Sequence, residues 1–69
     1  MKEIGISHSV WKIVVHVRLS LDDPTKWIGT YQADAPGHLP HKGVTAYYDQ
    51  SDRALDRALG DALRAVVRN

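Results

Sequence analysis

The chain has no cysteine, which excludes disulfides, thiolate metal sites and a cysteine nucleophile. Its opening residues, Met1-Lys2-Glu3-Ile4-Gly5, lack the apolar segment of a secretory signal. The longest aliphatic run, Ile13-Val14-Val15, falls far short of the roughly 20 residues that cross a bilayer. A soluble, cytoplasmic protein is therefore expected. Net charge is nearly absent: nine Lys and Arg against eight Asp and Glu leave +1. That is too little for an electrostatic case for nucleic acid, and it is not the acidic balance of a nucleic-acid mimic. There is no Gly-rich phosphate loop, no Ser/His/Asp spacing and no HExxH-like helix. A chain of 69 residues is one domain at most, buries only about 60% of its unfolded surface, and has little room for a walled pocket. The expectation is a non-enzymatic protein with no cofactor. Self-association is the usual remedy for so small a core without staples, so a homodimer, or a fold completed by a partner, is expected.

What is present is a two-faced helix over residues 51–68. At about 100° per residue, Leu55, Leu59, Ala62, Leu63 and Val66 fall on one side, flanked by Ala54, Ala58 and Ala65. Arg53, Arg57, Arg64 and Arg68 fall within an arc of roughly 60° on the other. Asp49 or Ser51 can cap its start, Asp52 suits the positive end of the dipole, and Arg64 and Arg68 suit the negative end.

Ahead of the helix the pattern has period two. Residues 11–21 alternate strictly, with Trp11, Ile13, Val15, Val17, Leu19 and Leu21 pointing one way. Asp22-Asp23-Pro24-Thr25 reads as a turn. Residues 26–33 read as a second strand, antiparallel to the first, with Trp27, Gly29, Tyr31 and Ala33 on one face and Gly29 beneath a large cross-strand side chain such as a tryptophan. Residues 34–43, with Pro36-Gly37 and Pro40, read as a loop. Residues 44–48 form a short third strand with Val44, Ala46 and Tyr48 on one face and Thr45 and Tyr47 on the other. Residues 1–10 are ambiguous: an extension of the first strand, a further short strand, or a frayed end. The fold class is α+β, a three-stranded antiparallel sheet with one C-terminal helix packed on one face, in the order β-β-β-α. The second sheet face stays open and carries Lys12, Val14, His16, Arg18, Ile28, Thr30, Gln32 and Tyr47. At least one of Tyr31, Tyr47 and Tyr48 is exposed or in an interface.

Several groups are candidates for function. The arginine stripe can straddle phosphates, engage a protein's carboxylates, or simply be a solvated face. Asp52, Asp56 and Asp61 flank it, Arg57 and Asp61 are an i,i+4 pair, and Gly60 on the same stripe would admit a close backbone. His38 and His41, three apart in a loop containing Pro40, are not placed on one helical face; a surface loop of contact residues, with Lys42, fits them better than a metal site. Asp22-Asp23 before Pro24 is turn chemistry rather than a catalytic carboxylate pair. The contact candidates are thus Arg53, Arg57, Arg64 and Arg68 on the helix, His38, His41 and Lys42 in the loop, and His16, Arg18 and Tyr47 on the open sheet face. The reading is a protein-binding module that occludes or regulates a protein partner. The alternative is a small nucleic-acid-binding protein using the arginine stripe or the open sheet face.

The run Tyr31-Gln32-Ala33-Asp34-Ala35-Pro36-Gly37, followed by Gly43 and a helix carrying Ala54 and Ala58, resembles the HicB-type antitoxin domain. The chain is similar also to small β-β-β-α proteins of bacteria and their phages. The HicB resemblance implies a β-β-β-α core and a function in binding and blocking a small ribonuclease toxin. The strand order resembles the latter part of double-stranded-RNA-binding domains too, but Asp49, Asp52 and a lone Arg53 stand where those domains place lysines.

Overall fold

A computed structural model of the chain describes residues 2–67. Its elements are β1 (Lys2–His8), β2 (Trp11–Leu19), β3 (Trp27–Asp34), β4 (His41–Val44) and α1 (Ser51–Val67). The strands form a four-stranded antiparallel sheet in the order β1-β2-β3-β4, and α1 packs on one face of it. The architecture is α+β, with four strands where the sequence pattern suggests three.

The additional strand is β1, which resolves the ambiguity of the first ten residues. It pairs with β2 along its whole length, from Lys2 opposite Val17 to His8 opposite Trp11. Two features hid it. Ile4 and Ile6 are its only large aliphatic residues, and the Ser9-Val10 link carries no Asn-Gly or Asp-Gly signal. Ser9 takes the left-handed conformation itself, with φ at 57°.

β2 supplies the centre of the core. Trp11, Ile13, Val15 and Val17 are buried, as the alternation requires. The pattern overruns the strand, however. β2 ends at Leu19, which is 44% exposed, and Leu21 is 89% exposed in the turn beyond. Neither is in the core: the chain turns away before a sheet face or the helix can cover them.

The helix is rotated relative to its hydrophobic pattern. Ala54, Ala58, Ala62 and Val66 form the buried line, while Leu55, Leu59 and Leu63 sit part-exposed along its side. The reason is Gly29. A Cβ there would lie 2.6 Å from the Ala54 carbonyl oxygen and 3.0 Å from Ala58 Cβ. The glycine therefore lies under the helix backbone, not under a tryptophan, and small residues facing one another let helix and sheet approach closely. Gly60, in contrast, faces open space, with nothing within 4 Å of a Cβ placed there.

β4 begins at His41, directly after Pro40, inside the segment expected to be loop. The turn before it has Pro36 and Gly37 at its two central positions. Gly37 has φ of 77°, and His38 N–H donates to the Ala35 carbonyl at 3.2 Å, as in a type II turn. Beyond β4 the register slips. Val44 faces Thr30 and Tyr48 faces Trp27, so three residues oppose two, which is a bulge. Thr45 lies in it and is buried. Its Oγ1 accepts the Gly29 N–H at 2.9 Å, while its own N–H donates to the Gly29 carbonyl at 2.8 Å. This corrects the expected facing of residues 44–48: Thr45 points in, and Val44 and Ala46 are exposed.

The turn between β2 and β3 closes as its residues suggest. Thr25 N–H and Oγ1–H both donate to Asp23 Oδ1, at 3.1 and 2.6 Å, and Lys26 N–H donates to the Asp23 carbonyl at 3.0 Å. These Thr25 hydrogen bonds hold the Asp23 carboxyl below its ordinary range. Asp49, a candidate cap in the sequence, has a tertiary partner. Lys26 Nζ engages its carboxylate and ties this turn to the start of α1. The hydrogen bond and charge of each partner shift the other, lowering Asp49 and raising Lys26. A depressed carboxylate contributes above its unfolded pKa and loses that contribution as pH falls through the folded one; a raised lysine contributes below its unfolded pKa and loses it as pH rises through the folded one. The stability difference between the wild type and Lys26→Met is therefore expected to be constant across neutral pH and to disappear as pH falls through the folded pKa of Asp49, below the ordinary carboxylate range. Both groups are exposed, so the difference is small and shrinks in salt. Urea midpoints across pH check it; a difference that persists unchanged at the acid end would refute the assignment.

Candidate functional site

The sheet has one face under the helix and one without cover. Cross-strand register lays out the uncovered face in rows. Glu3, His16, Thr30 and Val44 form one row, and Gly5, Val14, Gln32 and Lys42 the next. Ser7, Lys12 and Asp34 lie beyond on one side, Arg18 and Ile28 on the other. Antiparallel partners share a face, so this layout follows from pairing alone. Val14 is 43% exposed and Val44 66% exposed, and with Thr30, Gln32 and Lys42 they bound a shallow depression of about 410 Å3. His16 Nε2 is bonded to Glu3 Oε2, and Gln32 Nε2 donates to Asp34 Oδ2 at 3.0 Å. At the turn end, Tyr47 is half exposed, and its hydroxyl donates to Asp22 Oδ2 at 3.3 Å beside Arg18, Leu21 and Ile28. The face is an apolar centre set among lysine, arginine and paired polar groups.

The sequence-derived contact residues do not form one site. His16, Arg18, Lys42 and Tyr47 all border the uncovered sheet face. Arg53, Arg57 and Arg64 lie on the far side of the molecule, on the outer surface of α1. There Asp61 engages two of them, Arg57 Nε at 3.3 Å and Arg64 through its NH2 group. One carboxylate thus offsets part of the stripe's charge, one unit against the three of Arg53, Arg57 and Arg64. Arg68 lies outside the described residues. His38 and His41 go to a third place. Their rings both pack against the buried indole of Trp11, with centroids 5.1 and 5.2 Å away and planes tilted by 47° and 45°. They are packing partners of Trp11 at the end of the sheet. Among the described residues, no group of three or more His, Cys, Asp or Glu is placed to hold a metal.

The uncovered face includes residues that the sequence pattern does not place there: Glu3, Gly5, Ser7, Asp34, Lys42 and Val44. Glu3 and Ser7 could not be placed without knowing that β1 pairs with β2. Simple alternation over residues 44–48 puts Val44 on the opposite face, because the bulge at Thr45 leaves no mark in the sequence. No described helix is long and apolar enough to cross a membrane. Comparison with protein-family models, curated proteins and solved structures finds no match to the chain.

Proposed function

We propose that the chain is a non-enzymatic protein-binding module, in the manner of small antitoxins and phage-encoded inhibitors, and that it acts by occluding a protein partner with its uncovered sheet face. The observation that carries this reading is the exposure of Val14 and Val44 at the centre of a face bordered by Lys12, Arg18 and Lys42. Interfaces of this kind draw affinity from a desolvated apolar centre and orientation from the charges around it. A partner with an apolar patch rimmed by carboxylates suits it. The helix arginines support the alternative, nucleic-acid binding, less well. Asp61 neutralises part of the stripe, and Asp52 and Asp56 on the same helix would repel phosphates. The resemblance to HicB-type domains points to the same class of activity, and the small core suits self-association.

Capture from a cell lysate with three forms of the protein tests the assignment. The wild type and an Arg53→Ala/Arg57→Ala/Arg64→Ala variant are expected to retain the same protein. A Val14→Asp/Val44→Asp variant is expected to lose it, with affinity for the purified partner weakened at least about tenfold, or about 1.4 kcal/mol. Retention lost in the arginine variant and kept in the valine variant would move the site to the helix. Binding to duplex or single-stranded nucleic acid that falls steeply with salt and depends on those arginines would replace the proposal by its alternative.

A further inference from the structure

We infer that two copies of the chain join along β1, antiparallel and centred on Gly5, to make one continuous eight-stranded sheet. This gives an interface to the self-association proposed above; it runs along the β1 edge, which adjoins the uncovered face, and does not use Val14 or Val44.

The hydrogen-bonding parity of the sheet fixes which backbone groups β1 leaves open. Trp27 and Tyr48 exchange both backbone hydrogen bonds, and Ser20 N–H donates to the Lys26 carbonyl. Odd-numbered residues of β3 therefore bond toward β4 and even-numbered ones toward β2. Carried across the register, the odd residues of β2 bond to the even residues of β1. The N–H and C=O groups of Glu3, Gly5 and Ser7 consequently point away from the sheet, along its outer edge.

The two edges of the sheet differ. β4 is four residues long, follows Pro40 and ends in the bulge at Thr45, all devices that blunt an edge. β1 is seven residues long, with no proline and no break in its pairing. Its inward side chains Ile4 and Ile6 reach the core but stay only partly buried, because α1 packs on β2, β3 and β4. That margin leaves room for a second helix on the same side.

The sequence of β1 is complementary to itself in one register. A two-fold axis through Gly5 pairs Gly5 with Gly5, Glu3 with Ser7 and Ile4 with Ile6 of the other copy. All pairs match face to face, and the odd residues exchange roughly six backbone hydrogen bonds. On the core side the row runs Ile13, Ile6, then Ile4 and Val15 of the second copy, an unbroken aliphatic layer. On the other side Lys12 and Ser7 are followed by Glu3 and His16 of the second copy. Lys12 and that Glu3 lie two strand spacings apart, roughly 10 Å between Cα atoms, with only a serine between them. Shifting the axis to Ile4 sets Ile6 opposite Lys2; shifting it to Ile6 sets Ile4 opposite His8 and Glu3 opposite the turn residue Ser9. Only the Gly5 register satisfies both faces.

Sedimentation of the purified chain is expected to give twice the monomer mass at micromolar to millimolar concentration. Gly5→Pro removes a donor that faces outward and none that bonds to β2, so it is expected to give a monomer with unchanged helical circular dichroism. Gly5→Cys places the only thiols of the protein across the axis, about 5.5 Å apart at Cα, within disulfide range, and the site has room, since a Cβ meets only the Ile13 carbonyl at 3.8 Å. Mild oxidation should yield a covalent dimer. Glu3→Lys should weaken dimerisation at least tenfold, and adding Lys12→Glu should restore it. A wild type that stays monomeric throughout, a folded Gly5→Pro that remains dimeric, or a Gly5→Cys that resists cross-linking would each overturn the proposal. A monomeric result leaves the partner-binding reading standing, because that reading depends on Val14 and Val44 in capture experiments.

Discussion

Gly29→Val is expected to destabilise the fold by about 3 kcal/mol or more, at the upper end of overpacking effects. The nearest obstacle to a new side chain is backbone, the Ala54 carbonyl at 2.6 Å, with the Ala54 carbonyl carbon at 3.3 Å. Neither can rotate aside. The helix would have to lift from β3, the strand it packs on most extensively, and Ala54 and Ala58 would lose their cover. Lifting would also strain Thr45, whose two hydrogen bonds to Gly29 hold the bulge below the start of the helix. A 69-residue domain has roughly 3 to 10 kcal/mol in total, so this one substitution is expected to leave a substantial unfolded population at 25 °C. Gly60→Ala is the control. It meets nothing within 4 Å and should gain up to about 1 kcal/mol from helix propensity. Urea denaturation of both measures the contrast. Equal stability of Gly29→Val and the wild type would mean that the helix does not sit where these distances put it.

Ile13→Ala is expected to cost about 2 to 5 kcal/mol and Leu21→Ala less than about 0.5 kcal/mol. The two residues belong to the same alternating run, and the sequence gives no ground for separating them. Ile13 is 1% exposed between Ile6 of β1 and Ala33 of β3, whereas Leu21 is almost fully in solvent. Removing Ile13's side chain opens a cavity in the one layer of aliphatic residues between sheet and helix. In thermal unfolding each kcal/mol corresponds to roughly 4 to 8 °C for a domain of this size, so the melting temperatures should differ by about 6 °C or more. A Leu21→Ala loss as large as that of Ile13→Ala would indicate that Leu21 is covered in solution, and an assembly burying the β2–β3 turn would then have to be considered.

The candidate site was legible in part. His16 and Arg18 lie on the uncovered face because β2 is regular and its parity can be counted from Trp11. By its sequence Lys42 reads only as a loop residue, and Val44 as an inward-facing one. Both depend on where β4 starts and on the bulge that follows it. His38 and His41 are visible as a pair, but nothing local shows that both pack on Trp11, more than twenty residues earlier. The arginine stripe was legible as geometry and not as chemistry, since its spacing on the helix did not reveal that Asp61 would hold both Arg57 and Arg64.

Local periodicity determined that β2 is a strand with Trp11, Ile13, Val15 and Val17 inward, that the segment from Ser51 is a helix, and that the two pack face to face. Those features rest on side-chain repeats of 2.0 and 3.6 residues, which any stretch of chain carries within itself. Pairing partners decided the rest. β1 became a strand because β2 offered it an edge. Ala54, Ala58 and Ala62 displaced the leucines from the contact line because Gly29 brought the backbones together. Thr45 turned inward because an extra residue needed its hydroxyl to satisfy the Gly29 N–H. Each of these depends on atoms far apart in sequence meeting in space, where close packing and the cost of an unpaired buried polar group outweigh local preference.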